Sequence, residues 1–473
     1  MLFTTLYFSI FFLAVYTLHW WVFRGRSRLW LLLAASALFY ASWSFAFFLH
    51  FAAIVWITYA LVRRMVLTKN RIYFQLLLII NFANLIFFKY FYLMLDALFR
   101  MTGLNAFKRG LFDSILSTHL HADEIILPLA ISFYTFQLVA FAADARRETF
   151  EGLPSLRDFF LFIMFFPQLV AGPIMRHSEF FYQLESIRPG RERTYEGLTL
   201  FLYGLIKKSV LADNLAPAVD LVFHNPASYD ALSNLLAPFG YAVRLYCDFS
   251  GYTDMARGSA LLLGFDLPAN FRSPFLASSM RDFWRRWHIT LSSWLRDYIY
   301  IPLGGSRSGE MRSALNLIAT FTIGGIWHGA NYTFLIWGFF HGLVLASERF
   351  IGLALKHLNP APTNRWMQSA LRLPATLYPF AAFSISMIPF NAPDLAHAVE
   401  MASGIFAAGG AANPQNAKIA TLMMAGLILN YTELRGKPAL LKRRSGALLL
   451  GFTALFLLAK YPPDGQSFIY FQF

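Results

Sequence analysis

The chain opens "MLFTTLYFSIFFLAVYTLHWWVFRGRSR", Met1 to Arg28. No Asp, Glu, Lys or Arg interrupts it before Arg24, and then Arg24, Arg26 and Arg28 follow in quick order. An uncharged run of that length is long enough to cross a bilayer as a helix. The stretch has no basic region ahead of the apolar run and no clear small-x-small cleavage site. It therefore predicts a retained first helix, its N-terminus outside and its arginine end in the cytoplasm.

The rest of the chain extends this pattern. Apolar residues make up 57% of it and charged residues only 14%, and Phe alone occurs 51 times. A soluble protein of that composition would expose large adhesive patches. Apolar runs recur near 2–22, 29–45, 46–62, 73–97, 125–143, 157–173, 196–215, 231–264, 314–330, 331–354, 368–388, 416–431 and 446–460. They predict an all-α, polytopic membrane protein of eleven to thirteen helices. The net charge of +14 fits loops that face the cytoplasm and anionic lipid. No nucleic-acid-binding motif is present, so no nucleic-acid partner is expected.

Basic blocks support one orientation. Arg63, Arg64, Lys69 and Arg71 follow the third run; Arg176, Arg188, Arg191 and Arg193 follow the sixth; Arg435, Lys437, Lys442, Arg443 and Arg444 precede the last. Placed in the cytoplasm, they put both termini on the outer side of the membrane. The sixth run, containing "FFPQLVAGP", carries Pro167, Gly172 and Pro173 and predicts a broken, re-entrant element. No repeat or soluble domain is visible. A single domain, 1–473, is expected, with peripheral helices in 1–120, a core in 125–355 and further helices in 365–473. The lone Cys247 excludes an intrachain disulfide and a cysteine zinc site. His119, His121 and Asp123 read as a solvated outer loop, and no metal site is expected.

Against this apolar background, "DFWRRWHITLSSWLRDYIYIPLGG", Asp282 to Gly305, is unusually charged. As one helix, Arg281, Arg285, His288, Ser292 and Arg296 fall within about an 80° arc. Phe283, Trp287, Leu291, Trp294 and Tyr298 fall opposite. Ser279 and Asp282 predict its start, and Pro302 with Gly304 and Gly305 its stop. Two readings stay open: an interfacial helix with aromatics in lipid, or a basic entrance for an anionic substrate.

A second segment, "IGGIWHGANYTFLIWGFFHG" from Ile323 to Gly342, buries ionisable groups in apolar sequence. By its position His328 is either a functional group or a core histidine hydrogen-bonded across helices. Asn331, three residues on, sits on the same helix face, and Gly324, Gly325 and Gly329 permit close backbone approach. His341 lies about 220° further round such a helix and reads as structural. A third cluster, "YCDFSGYTDMARG" (Tyr246–Gly258), holds Asp254 and Arg257, which either neutralise each other or orient an interior group. No nucleotide-binding glycine loop or serine-hydrolase elbow is present.

Together, "FWRRWHITLSSWLRDYIYIPLGG" and "GGIWHGANYTFLIWGFFHG" resemble the hallmark segments of the membrane-bound O-acyltransferases. "LPLAISFYTFQ" (127–137), "FFPQLVAGPI" (165–174), "DFSGYTDMARG" (248–258) and the terminal "FIYFQF" resemble the bacterial branch that acetylates alginate and peptidoglycan, with D-alanine transfer to teichoic acid as a cousin activity. The resemblance implies a ring of tilted helices around a central funnel or tunnel. It implies His328 as the catalytic residue and His288 as a second functional position. A neutral His328 would take the proton of an acceptor hydroxyl attacking a thioester, with Asn331, a Trp327 indole or backbone N–H groups facing the oxyanion. Acetyl-CoA would be the donor, its phosphates held by Arg281, Arg285 and Arg296 beside Ser292 and Asp254. No permanently bound cofactor is expected. A periplasmic SGNH/esterase-like partner would receive the acetyl group for a polysaccharide. A transporter, a passive export scaffold and a D-alanyl transferase served by a carrier protein are the competing readings.

Overall fold

The computed structural model describes residues 3–102, 128–147, 152–170, 172–307, 309–358, 365–407, 409–434, 444–461 and 468–469. The His119–Asp123 cluster, the basic run 435–443 and the end of "FIYFQF" lie outside them. The described residues form helices and no strand; a single bridge joins Tyr229 to Ala411. In chain order the helices are α1 (Leu6–Thr17), α2 (Ser27–Ala41), α3 (Phe45–Thr68), α4 (Ile72–Thr102), α5 (Ile131–Arg146), α6 (Leu156–Met164), α7 (Arg191–Leu205), α8 (Asp213–His224), α9 (Ala231–Leu262), α10 (Met280–Trp284), α11 (Ile289–Leu295), α12 (Glu310–His328), α13 (Tyr332–Leu358), α14 (Arg365–Asn391), α15 (Leu395–Gly404), α16 (Asn416–Leu434) and α17 (Arg444–Lys460).

Their starts follow local chemistry. Thr5, Ser44, Ser155, Asp230 and Ser279 each accept a backbone N–H of the first turn, satisfying a donor the helix itself cannot reach. Four helical stretches among the described residues are long and apolar enough to cross a membrane: Phe45–Thr68, Ile72–Tyr90, Tyr332–Leu355 and Leu373–Asn391. Leu6–Val22 and Ser27–Ala41 are apolar but shorter. On α1 the outward residues Leu6, Ile10 and Leu13 share one face, as do Leu448, Phe452 and Leu455 on α17. These exposed apolar faces suit lipid and not water.

Two large cores divide the molecule. One packs α1–α3, α5, α6 and the end of α9; the other packs α8, the start of α9, α13, α14 and α16. The 32-residue α9 belongs to both and is buried for most of its length. It meets α7 through glycines spaced seven apart on each helix, Gly197 and Gly204 against Gly258 and Gly251. A Cβ on Gly251 would lie 2.7 Å from the Gly204 carbonyl oxygen, and one on Gly258 2.6 Å from that of Gly197. Gly251→Ala must therefore push two helix backbones apart. We expect it to destabilise the protein by roughly 1–3 kcal/mol, read as a lower melting temperature in detergent; an unchanged melting temperature would contradict this packing.

The "FFPQLVAGP" element is broken as anticipated. α6 ends at Met164, Phe165 leaves helical geometry, and a single turn over Phe166–Leu169 follows, with all these residues buried. Its freed backbone is satisfied by protein. Phe166 N–H donates to Ser36 Oγ (3.1 Å), and Ile174 N–H donates to Thr290 Oγ1 (3.0 Å). Irregular backbone inside an apolar body needs such partners.

Candidate active site

The segment read as one helix from Ser279 to Tyr300 is not continuous. Its start holds: Ser279 Oγ accepts from Asp282 N–H at 3.0 Å. Its stop holds too, with Gly304 and Gly305 at positive φ. Between them, α10 ends at Trp284 and α11 begins at Ile289, and His288 adopts a left-handed conformation, φ 41°. The cause lies in a loop distant in sequence. Arg272 N–H donates to the Arg286 carbonyl (2.9 Å), and Ile289 N–H donates to that of Asn270 (2.9 Å). These bonds replace the helix's own at that turn.

The break undoes the basic stripe. Arg281, Arg285 and Arg296 are exposed, whereas His288 is buried. Arg296 pairs with Asp297 (2.6 Å), which also binds Arg176 (2.5 Å). Ser292 donates its hydroxyl to the Trp287 carbonyl, a local bond at the start of α11. The interfacial reading fails as well, because Phe283, Trp287, Leu291 and Trp294 are buried in protein.

Asn270 sets the chemistry of His288. Its Oδ1 accepts from Thr290 N–H (3.2 Å) and Thr290 Oγ1 (2.9 Å), so the amide orientation is determined. The same oxygen lies 3.2 Å from His288 Nδ1. In the neutral ring Nδ1 therefore carries the proton and Nε2 is the acceptor. Phe249 meets the ring edge-on at 4.7 Å.

The second segment also breaks. α12 ends at His328, Gly329 is extended, and α13 starts at Tyr332 as the return arm of a hairpin. Gly325 allows that return, since a Cβ there would strike the Phe334 carbonyl and Gly338. Asn331 consequently does not share a helix face with His328. Its Oδ1 accepts from Thr333 N–H (3.2 Å) and its amide donates to the Pro393 carbonyl (2.6 Å), so it caps α13. The hairpin also revises the angular reading of His341. That ring is buried, donates Nε2–H to Ser386 Oγ (3.0 Å), and lies edge-on to Trp337 at 4.7 Å. Trp337 in turn faces His328 edge-on at 4.9 Å.

The two candidate histidines are brought together. Trp327 lies between them, its ring 6.3 Å from that of His288 and 4.9 Å from that of His328. A small aromatic cluster of Phe133, Phe136, Trp294 and Trp327 encloses this point. Phe390 and Phe334 complete the wall around His328.

A cavity of ≈520 Å³ reaches Asn270 from the side on which Arg257, Arg272, Arg285 and Glu433 lie. Arg285 and Asp254 line it; Arg281 and Arg296 do not. Among the described residues Arg272 and Arg285 have no ion-pair partner, whereas Arg286 is paired with Asp282 (2.9 Å). Asp254 is held by Lys207 (2.6 Å), which also binds Glu433 (2.8 Å), and it lies 3.9 Å from Arg257. The i, i+3 pairing with Arg257 is thus the weaker one. Next to it, Lys208 bridges Asp213 (2.6 Å) and Asp248 (2.7 Å), all three buried.

Sequence reasoning passed over Lys207 and Lys208, Asn270, Arg272, and a pair on α4, Lys89 and Tyr90. Lys89 donates to the Trp327 carbonyl and Tyr90 to that of Ile326. The lysines carried a usable signal, since each is an ionisable residue inside an apolar run. Asn270 carried none, because its role depends on a loop docking.

Comparison with known proteins adds the following. A model of the membrane-bound O-acyltransferase family matches residues 20–388. The chain is 36% identical to the probable alginate O-acetylase of Pseudomonas putida over 92% of its own length and 88% of that protein. It is 34% identical to the peptidoglycan O-acetyltransferase of Helicobacter pylori, covering 87% of this chain and 80% of the relative. The teichoic acid D-alanyltransferase of Bacillus subtilis is 30% identical, over 52% of this chain and 65% of that protein.

Proposed function

Since this chain belongs to the membrane-bound O-acyltransferase family, we propose that this multi-pass membrane acyltransferase moves an acetyl group from cytoplasmic acetyl-CoA across the bacterial inner membrane, for O-acetylation of peptidoglycan or an alginate-like exopolysaccharide. A periplasmic esterase-like partner receives the group and passes it to the polymer. One observation supports the reading: Asn270 lines the cavity and contacts His288, and Trp327 lies against both His288 and His328, so the cavity and the two histidines belong to one series of contacting residues. The basic side of that series faces the cytoplasm, following the bias of Lys and Arg to that side.

Arg272 and Arg285, which line the cavity and have no ion-pair partner among the described residues, suit the phosphates of a CoA donor. A volume of ≈520 Å³ is in the range of small-molecule sites. At the inner end His328 takes the proton from the acceptor hydroxyl as its oxygen attacks the thioester carbonyl. The C–O bond forms, the C–S bond breaks, and the proton passes to the departing thiolate. Asn331 is already committed to Pro393, so Trp327 and backbone N–H groups are the better candidates to face the oxyanion. The acetylating relatives cover about nine-tenths of this chain and the D-alanylating one about half, which supports acetyl over D-alanyl transfer.

The test supplies acetyl-labelled CoA to the purified full-length protein in lipid nanodiscs with an acceptor polymer and partner. Label on the polymer is expected; turnover of a D-alanyl carrier protein in its place would overturn the acetyl reading. In the same assay Arg285→Ala is expected to raise the donor KM about tenfold or more, the worth of one charge-assisted hydrogen bond, with a smaller loss in kcat. An unchanged KM would remove Arg285 from donor binding.

A further inference from the structure

We propose that Lys89 and Tyr90 on α4 are positioning residues that hold His328 for acyl transfer. This inference rests on the assignment of His328 as the base. α12 ends at His328, so the carbonyls of its last turn have no partner within the helix. Gly329 is extended and does not wrap back to cap them. Tyr90 Oη donates to the Ile326 carbonyl and Lys89 Nζ to the Trp327 carbonyl. That second carbonyl belongs to the peptide bond bearing the His328 nitrogen.

Lys89 also lies over the Trp327 ring, 5.6 Å from its centroid, while Phe136 stacks on the ring at 5.4 Å. Both the backbone and the side chain of the residue before His328 are therefore held. Lower on α4, Asn84 donates to Tyr134 Oη (3.2 Å), tying α4 to α5, the helix that supplies Phe133 and Phe136. A helix of the region read as peripheral reaches the centre this way. A plain capping role accounts poorly for Lys89. Lys89 lies inside the 31-residue α4 (Ile72–Thr102) and not at its end, and within a membrane span a lysine costs several times what a cation at a helix end returns.

The experiment measures kcat and donor KM for Lys89→Met, Lys89→Arg, Tyr90→Phe and His328→Ala in the nanodisc assay with acetyl-CoA. Lys89→Met is expected to lose about 10- to 100-fold in kcat, the scale of a small misplacement of a reacting group, with donor KM within about twofold. Lys89→Arg should recover most of the loss, because a guanidinium can donate to the same carbonyl. Wild-type kcat in Lys89→Met, or a changed KM at constant kcat, overturns the inference. If Lys89→Met does not insert, Tyr90→Phe decides, as it removes one oxygen only: a several-fold lower kcat supports the role and an unchanged kcat overturns it. Activity in His328→Ala would instead bring down the assignment of the base. An inactive His328→Ala beside a fully active Lys89→Met would defeat only the positioning role.

Discussion

His328→Ala is expected to abolish acetylation of the polymer while the protein still inserts and accumulates. A positioned base is worth about 10²- to 10⁴-fold in rate, and the effect here falls on kcat. The ring is enclosed by Trp327, Trp337 and Phe390, so alanine also leaves a void. His328→Gln fills more of that space without supplying an imidazole, and it too should be inactive. The decisive measurement is O-acetyl content of the polymer in cells carrying each variant, scored beside the amount of protein in the membrane. Wild-type acetylation in either variant, at normal protein level, would refute the base assignment. A passive scaffold predicts that outcome, and a transporter predicts no acyl turnover even from the wild-type protein.

Lys208→Met is expected to cost the fold itself. The ammonium lies between Asp213 and Asp248, at 2.6 and 2.7 Å, and none of the three is more than 4% exposed. Asp248 also accepts from the Ile469 N–H (2.9 Å), so the same pair tethers the C-terminal segment to α9. Removing the cation leaves two buried carboxylates without compensation, a loss of about 3–5 kcal/mol. That is a large share of a typical net stability. The variant should accumulate poorly in membranes and aggregate in detergent. Adding Asp213→Asn and Asp248→Asn to Lys208→Met should restore accumulation, because the uncompensated charges are then gone. Normal accumulation of the single variant would show that the ion pairs do not hold these helices.

The same contrast separates what could be read early from what could not. The apolar runs, the break just ahead of Pro167 and the cap at Ser279 all involve residues within a few positions of one another, and the structure keeps each. The basic stripe through Arg281, Arg285, His288, Ser292 and Arg296 assumed one unbroken helix. It failed because Asn270 and Arg272, more than a dozen positions away, took the hydrogen bonds that such a helix needs. Asn331 failed for the same kind of reason, since the helix turned back at Gly329.

Sequence alone determined that this is a helical membrane protein with isolated polar groups in apolar surroundings, including His288 and His328. Spacing along a chain records which residues avoid water and where a helix begins. Only the tertiary structure decided that the two imidazoles meet across Trp327, that Arg285 opens on a cavity while Arg296 does not, and that Lys207 and Lys208 hold the carboxylates of α9. Those pairings join segments that are remote in sequence, and their stability comes from mutual burial, which no local pattern encodes.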